Sequence, residues 1–383
     1  MKNKEFLSKS VVWYEIRGFG CILVMESASR GNVRMEKKTV AVAMSGGVDS
    51  SLTAALLLEQ GYEVMGLTMR LSEESMGAEK DARSVAGALG IPHHVADFRE
   101  LFRQKVVDYF IGEYARGRTP NPCVACNLHL KFGALFAYAR SLGADCLATG
   151  HYARIVRDAS GRYRLCKGLD EGKDQSYVLY HLPQEVLSRV LLPLGSYSKD
   201  TVRAMAMERR LPVANKPDSQ EICFVPKDDY QAYLRKHAPE CLCAGDIVDD
   251  RGNVLGRHEG VPLYTIGQRR GLGIAAPEPL YVKGLDVASH RVIVGGATEV
   301  YSGGLLAGQL KWMQQEEPKA QFRAMAKIRY GRRVAACRVL PLGDGQARVE
   351  FDEPQRAVTP GQSVVFYEGD YVLGGGIIEE EIP

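Results

Sequence analysis

From Thr39 onward two hydrophobic patterns alternate along the chain. Short, nearly continuous apolar runs occupy residues 39–44, 62–69, 93–98 and 146–149. Between them, at 52–60, about 80–89, about 101–114 and about 128–142, apolar positions recur every three or four residues. Continuous runs suit strands buried on both faces, and the longer period suits helices. Strands alternating with helices of ten or more residues predict an α/β domain on a doubly wound parallel sheet. Such sheets bind ligands at the carboxyl ends of their strands, and the first such end here is Ser45–Ser51. A loop rich in Gly, Pro and Asn at 117–122 interrupts the helical pattern.

Past Pro226 the pattern changes. Helical periodicity fades, and Gly252, Gly267, Gly271 and Gly273 punctuate short segments. From about Gly303, alternating strands are expected at 321–329, 335–340, 347–351, 363–367 and 372–378, spaced as in a small β-barrel. The expected organisation is an α/β catalytic domain over 37–225, a small central domain over 226–302 and a C-terminal β-barrel over 303–383. Residues 1–36 show neither period and read as an N-terminal extension, expected to be disordered, with Met35 as the natural start.

Length and composition narrow the class. The chain has 383 residues, 45% hydrophobic and 25% charged, enough to bury several cores without disulfide staples. Its longest apolar run near the start, Gly20–Met25, is far too short to cross a bilayer, and Glu15 and the absence of a small-residue cleavage site argue against a signal peptide. Nine cysteines, odd in number and widely spaced, speak against a secreted disulfide framework and for thiol or metal chemistry in the cytoplasm. The net charge of +3 identifies no partner by itself.

Two strings carry chemistry. Ser45-Gly46-Gly47-Val48-Asp49-Ser50 lies between a strand and a helix, where glycines let backbone N–H groups approach an anion and the helix dipole favours it. It lacks the Gly-Lys-Ser/Thr ending of a Walker A loop. The whole string resembles the phosphate loop of the PP-loop ATP pyrophosphatases, which cut ATP between the α- and β-phosphates and adenylate an acceptor oxygen. The second string is Thr119-Pro120-Asn121-Pro122-Cys123-Val124-Ala125-Cys126-Asn127. Its prolines deny a helix before Cys123. Cys126 then falls near a helix start, where the dipole is expected to depress its pKa. Cys223, in Asp218-Ser219-Gln220-Glu221-Ile222-Cys223-Phe224, sits among polar residues, whereas Cys146 and Cys166 read as small buried hydrophobes. A zinc site from Cys123, Cys126, Cys241 and Cys243 is disfavoured by the tight Cys-Leu-Cys spacing.

These strings occur in fixed order with Ala148-Thr149-Gly150-His151-Tyr152, Lys173-Asp174-Gln175-Ser176-Tyr177, Tyr264-Thr265-Ile266-Gly267-Gln268-Arg269 and Pro360-Gly361-Gln362. Together they resemble the bacterial tRNA-specific 2-thiouridylase family from about Lys37 to the C-terminus. The resemblance implies that ATP, with Mg²⁺, adenylates the C2 oxygen of a wobble uridine, and that sulfur replaces this oxygen with release of AMP and pyrophosphate. It implies partners too: a tRNA with a modifiable wobble uridine, and a sulfur donor such as a cysteine desulfurase or a sulfur-relay protein. No membrane is involved.

By carry-over, Ala43, Met44, Ser45, Gly46, Gly47, Val48, Asp49, Ser50, Met69 and Gly150 would bind ATP. Cys126 would be the nucleophile and Cys223 the persulfide carrier. Asn121, Pro122, Cys123, His151, Lys173, Asp174, Gln175, Arg329, Tyr330 and Gln362 would contact tRNA. Some members of that family carry Asp where this chain has Cys123. Cys123 is therefore read either as an acid/base or, with Cys126 and Cys223, as a ligand of a [4Fe-4S] cluster.

Residues 311–340 add eight Lys/Arg against two Glu, interleaved with Trp312, Phe322 and Tyr330, as a phosphate backbone with unstacked bases demands. By itself the segment is equally a solvated strand face. Two other functions share the loop: an ATP-dependent ligase or amidotransferase on a small metabolite, needing neither Cys126 nor Cys223, and a non-catalytic RNA-binding or sulfur-carrier protein, against which the intact loop argues.

Overall fold

A computed structural model describes residues 37–382 apart from 219–221, 314–316 and 332. The expected N-terminal extension, Ser219–Glu221 and Arg332 therefore lie outside the described residues.

Five parallel strands form the first sheet: β1 (Thr39–Ala43), β2 (Glu63–Arg70), β3 (His93–Asp97), β4 (Cys146–Ala148) and, after an intervening hairpin, Val190–Leu191. Their order places β1 centrally, between β2 and β4. Val40, Ala41 and Val42 are fully buried there, which is why that run carries no polar alternation. The fifth strand is two residues long, too short to leave a pattern. Helices Val48–Glu59 and Met76–Leu89 begin four residues earlier than the apolar period suggested, because Asp49, Ser50 and Ser51 in one first turn and Gly77 and Glu79 in the other interrupt the period.

The helix starting at Pro122 runs through Pro122–Cys126, Asn127–Leu135 and Phe136–Ser141 without a break, its middle piece wound as a π-helix. A second continuous helix, Arg99–Ala115, also has a π segment at Arg103–Val107. The two pack together through Phe102, Val106, Cys126 and Leu130. π segments recur at functional sites, where they re-aim side chains within a helix.

The hairpin β5 (Ala153–Arg157) and β6 (Tyr163–Lys167) leaves the first sheet and joins the C-terminal one. The fifth parallel strand is accordingly β7. The central region holds a helix at Tyr230–His237 and four strands, β8 (Gly245–Val248), β9 (Val254–His258), β10 (Tyr281–Asp286) and β11 (Arg291–Gly295). The last region is a six-stranded barrel: β12 (Tyr301–Trp312), β13 (Phe322–Lys327), β14 (Ala335–Gly343), β15 (Gln346–Arg356), β16 (Ser363–Glu368) and β17 (Tyr371–Ile382). Pairing of β12 with β17 closes it and removes both sheet edges. The pattern missed β12, whose Gly303, Gly304 and Gly308 dilute its alternation. Among the described residues, no helix is long and apolar enough to cross a membrane.

Candidate active site

The phosphate loop leaves β1 at Ala43 and Met44 and turns at Gly46. Gly46 has φ +69°, and a Cβ there would lie 2.4 Å from the Ala78 carbonyl oxygen, so only glycine fits. Ser50 ties the loop together: its hydroxyl accepts from the Ser45 N–H at 3.1 Å and donates to the Gly47 carbonyl at 3.2 Å. Gly47 caps the helix without any side-chain acceptor, leaving the helix N-terminus to an anion. Gly150 seats against the loop from behind, where a Cβ would come within 2.9 Å of Asp49. The structure thus brings Ala43 to Ser50 and Gly150 together. Met69, at the carboxyl end of β2, packs between this loop's domain core and the helix bearing Cys126.

Around the loop lies a charge network that no sequence string announced. The buried Lys199 ammonium donates to both Asp49 oxygens, at 2.7 and 2.8 Å, and pairs with Asp218 at 2.9 Å. Tyr152 donates its hydroxyl to Asp49 at 2.7 Å, and its ring lies under Lys199. Lys173 and Arg203 complete the cluster on Asp218, at 3.1 and 2.6 Å. Burial opposes ionisation of Asp218, but these three cations outweigh it and hold the carboxyl below its ordinary range. Lys216 meanwhile donates to the Gly46 carbonyl and pairs with Asp81. In the central cluster two carboxylates face three cations, an excess of positive charge suited to a triphosphate. Lys199 was illegible in sequence: it follows the helix cap Ser198 like any surface lysine, and only the fold buries it.

The thiol side differs in every respect. Asn121 caps the helix, accepting from the N–H groups of Cys123 and Val124 at 3.1 and 3.4 Å. Because the helix begins at Pro122, Cys126 lies in its second turn and not at its start. The expected pKa depression is overturned: burial pushes the Cys126 thiol up, with Lys131 opposing. Cys123 and Cys223 are exposed to reagents, yet surrounding protein poorly solvates their thiolates. Burial raises Cys123, and it raises Cys223 to about 12, with Cys126 and Cys123 adding to the effect on Cys223. The three thiols thus share one neighbourhood. Phe224 anchors the Cys223 segment by edge-on contacts with Phe102 and Phe110, 5.5 and 5.2 Å between ring centres. Among the described residues, however, no three His, Cys, Asp or Glu side chains are gathered as metal ligands, so neither the zinc arrangement nor the three-Cys cluster is formed.

Several residues expected at the RNA surface have other partners. Asp174 is buried, accepting from the Ser176 and Gly168 N–H groups and pairing with Lys327 at 3.7 Å. Gln175 accepts from the Tyr152 N–H. Lys173 belongs to the Asp218 cluster. His151 is buried and hydrogen-bonded to Thr149, and burial keeps its ring neutral, so it offers no positive charge to a phosphate. Asn121 is spent as a cap, Pro122 is buried, and Gln362 is buried on the loop carbonyls of Thr119 and Pro120.

The exposed members are Cys123 and Tyr330, with Arg329 half-buried beside them. Tyr330 lies close enough to Cys123 and Asp174 for their charges to hinder its ionisation, after burial itself. The basic segment is also weaker than its composition: Arg323 pairs with Asp352 and Arg338 with Glu350, acids supplied by the neighbouring β15. Trp312 stacks on Phe366 and meets Phe322 edge-on at the barrel core, so neither presents a free face for a base.

Family profiles described as a tRNA methyl transferase HUP domain, a tRNA methyl transferase PRC-barrel domain and an aminomethyltransferase beta-barrel domain match residues 38–227, 231–296 and 302–378. The tRNA-specific 2-thiouridylase MnmA of Carboxydothermus hydrogenoformans is 52% identical over 360 residues, covering 90% of this chain and 99% of that protein. The protein of the same name from Symbiobacterium thermophilum is 51% identical, covering 92% of this chain and 95% of the other. Among solved structures, the U34-tRNA thiolase NcsA of Methanococcus maripaludis with its [4Fe-4S] cluster is 18% identical with a TM-score of 0.35, covering 54% of this chain and 69% of that one.

Proposed function

The chain belongs to the tRNA-specific 2-thiouridylase family, and on that premise we propose that it adenylates the C2 oxygen of a wobble uridine in tRNA and replaces that oxygen with sulfur drawn from Cys223. The observation that carries the reading is where Asp218 and Phe224, close to one another in the chain, each make their contacts. At one end Asp218 joins the phosphate-loop network through Lys199. At the other, Phe224 packs beside Cys126. Residues close together in the sequence thereby take part in the site for ATP and in the surroundings of Cys126.

The triphosphate of ATP sits on the open helix end behind Ser45–Ser50. Uridine O2 attacks the α-phosphorus, the bond to the β-phosphate oxygen breaks, and pyrophosphate leaves. Lys199, Lys173 and Arg203 stabilise the charge that develops on it. A magnesium ion, when bound, supplies further neutralisation of the triphosphate. Asp49 fits as its carboxylate, since Mg²⁺ typically takes one or two carboxylates and the phosphates themselves, and Lys199 can then turn to the nucleotide. The base reaches this site by leaving its stack, with the exposed Tyr330 offering a face to it and Cys123 beside it.

Sulfur arrives as a persulfide on Cys223, given by a donor protein such as a cysteine desulfurase or a relay protein. Cys126 attacks the Cys223 sulfur, forming a Cys126–Cys223 disulfide and releasing hydrosulfide. Hydrosulfide adds at C2, and AMP departs with the former oxygen. An external dithiol then reduces the disulfide, so each turnover consumes one ATP, one persulfide sulfur and one reductant. The enzyme works in the cytoplasm, where its tRNA is. The persulfide route is preferred to a [4Fe-4S] route because it does not need the three thiols to be gathered as ligands. The test is nucleoside analysis of tRNA after incubation with the protein, ATP, Mg²⁺ and a persulfide donor. 2-Thiouridine at the wobble position is expected, and AMP release on tRNA without any thiolated nucleoside would sink the reading.

A further inference from the structure

Three regions of the fold meet at the loop before Cys123. Gly117 sits against Leu285 and Val287 of the central region, where a Cβ would come within 2.9 Å of Val287. Arg118 pairs with Glu113 of the preceding helix and with Glu379 of the barrel, at 2.7 and 2.8 Å. The Thr119 N–H donates to the Pro360 carbonyl at 2.8 Å. Gly361, at φ +90°, lets the barrel turn lie directly on Thr119; a Cβ there would stand 2.9 Å from its nitrogen.

Beyond Thr119 the loop changes character. Pro120 and Pro122 have no N–H to donate, so carbonyl oxygens are their only backbone handles. Gln362 takes two of the loop's carbonyls: its buried amide nitrogen donates to Thr119 at 2.9 Å and to Pro120 at 3.3 Å. Its own backbone is pinned in the barrel by the Thr359 and Ile378 pairings. Beneath the surface, that amide is committed to the loop in the absence of RNA.

We propose that Gln362 is a positioning residue for sulfur transfer: from the barrel it fixes the Thr119–Pro122 loop, and through the Asn121 cap it sets the start of the helix that carries Cys123 and Cys126. The barrel is then part of the reaction machinery and not solely a handle for tRNA. The turnover arm of the test rests on the thiouridylase reading; the thiol arm does not.

Gln362→Leu removes the donors at similar volume, and Gln362→Ala does so without new bulk; thermal melting selects whichever folds. The expected result is a fall in kcat of about tenfold or more, with KM for tRNA within about threefold, because misplacement of reacting groups costs rate more than binding. In the protein without tRNA or ATP, alkylation of the buried Cys126 should rise by roughly fivefold or more as its cover loosens. In the wild-type protein, hydrogen exchange at the Thr119 and Cys123 amides should stay slow when tRNA binds. Weaker tRNA binding with unchanged kcat and unchanged thiol reactivity would overturn the proposal, and so would faster Thr119 exchange on tRNA binding, since the Pro360–Gln362 turn would then be leaving the loop for the RNA. A wild-type protein that never thiolates tRNA would defeat the functional reading while leaving the thiol arm to decide the positioning role.

Discussion

The two ends of the active site are built on opposite principles. At the phosphate loop every charge has a partner: Asp49 is held by Lys199 and Tyr152, and Asp218 by Lys199, Lys173 and Arg203. At the thiol end, Cys126 lies among apolar neighbours such as Phe102, Leu130 and Phe224, and poor solvation of the thiolates favours the protonated form of all three thiols. The first end is preorganised, and its groups need only exchange partners when a triphosphate arrives. The second is dormant. A thiolate formed early would react with any electrophile or oxidant, so a site that raises its thiol pKa values protects them until substrate changes their surroundings.

Breaking each end separately should give distinct failures. Asp49→Ala leaves the buried Lys199 with Asp218 alone and removes the loop carboxylate. AMP release on tRNA should drop by about a hundredfold or more, with thiolation falling equally and tRNA affinity little changed. Cys126→Ser and Cys223→Ser should abolish thiolation as completely but leave pyrophosphate release within about threefold of wild type, because the charge network is untouched. Pyrophosphate release lost in the cysteine variants would show that the two ends are not separable.

The barrel provides a milder test. Neutralising Arg329 and Arg333 should weaken tRNA binding by roughly ten- to a hundredfold. The salt dependence should become shallower by about one unit per lost phosphate contact, with ATP affinity unchanged. A wild-type salt slope in the variant would return this strand end to plain solvent exposure. Arg323→Ala should have little effect by comparison, since Asp352 already engages its guanidinium.

The smallest effect concerns pH. A thiol reacts through its thiolate, and a raised pKa moves the appearance of that thiolate to higher pH. With Cys223 pushed up to about 12, its alkylation rate in the free protein should climb about tenfold per pH unit from 7 to 9.5 and show no plateau. A plateau near neutrality would mean that the thiol end is poised like the phosphate end, and the contrast between them would disappear.

Much of the molecule was legible before any coordinates. The phosphate loop was readable because its chemistry is local: two glycines, a serine and a helix start lie within six residues, and backbone geometry alone makes them an anion site. The parallel sheet was readable because its strands are buried on both faces and carry an unbroken apolar signal. The Pro-Asn-Pro-Cys string likewise announced a stiff loop ahead of a reactive helix.

What escaped was decided by contacts across the chain. Lys199 is 150 residues from Asp49, and burial at the end of an ordinary polar helix turn leaves no pattern. The charge of residues 311–340 was overcounted because the barrel brings Glu350 and Asp352 of β15 onto Arg338 of the paired β14 and Arg323 of β13. Gln362 reads as a polar surface residue until the barrel closes and sets its amide on carbonyls 243 and 242 positions away. The Cys126 thiol shows the difference most directly. Proximity to a helix start is a sequence property and argued for a low pKa, while desolvation is a property of packing and reversed it. Local order and backbone chemistry follow from residues near one another in the chain; charge compensation, burial and the state of a titratable group depend on which distant surfaces the fold presses together.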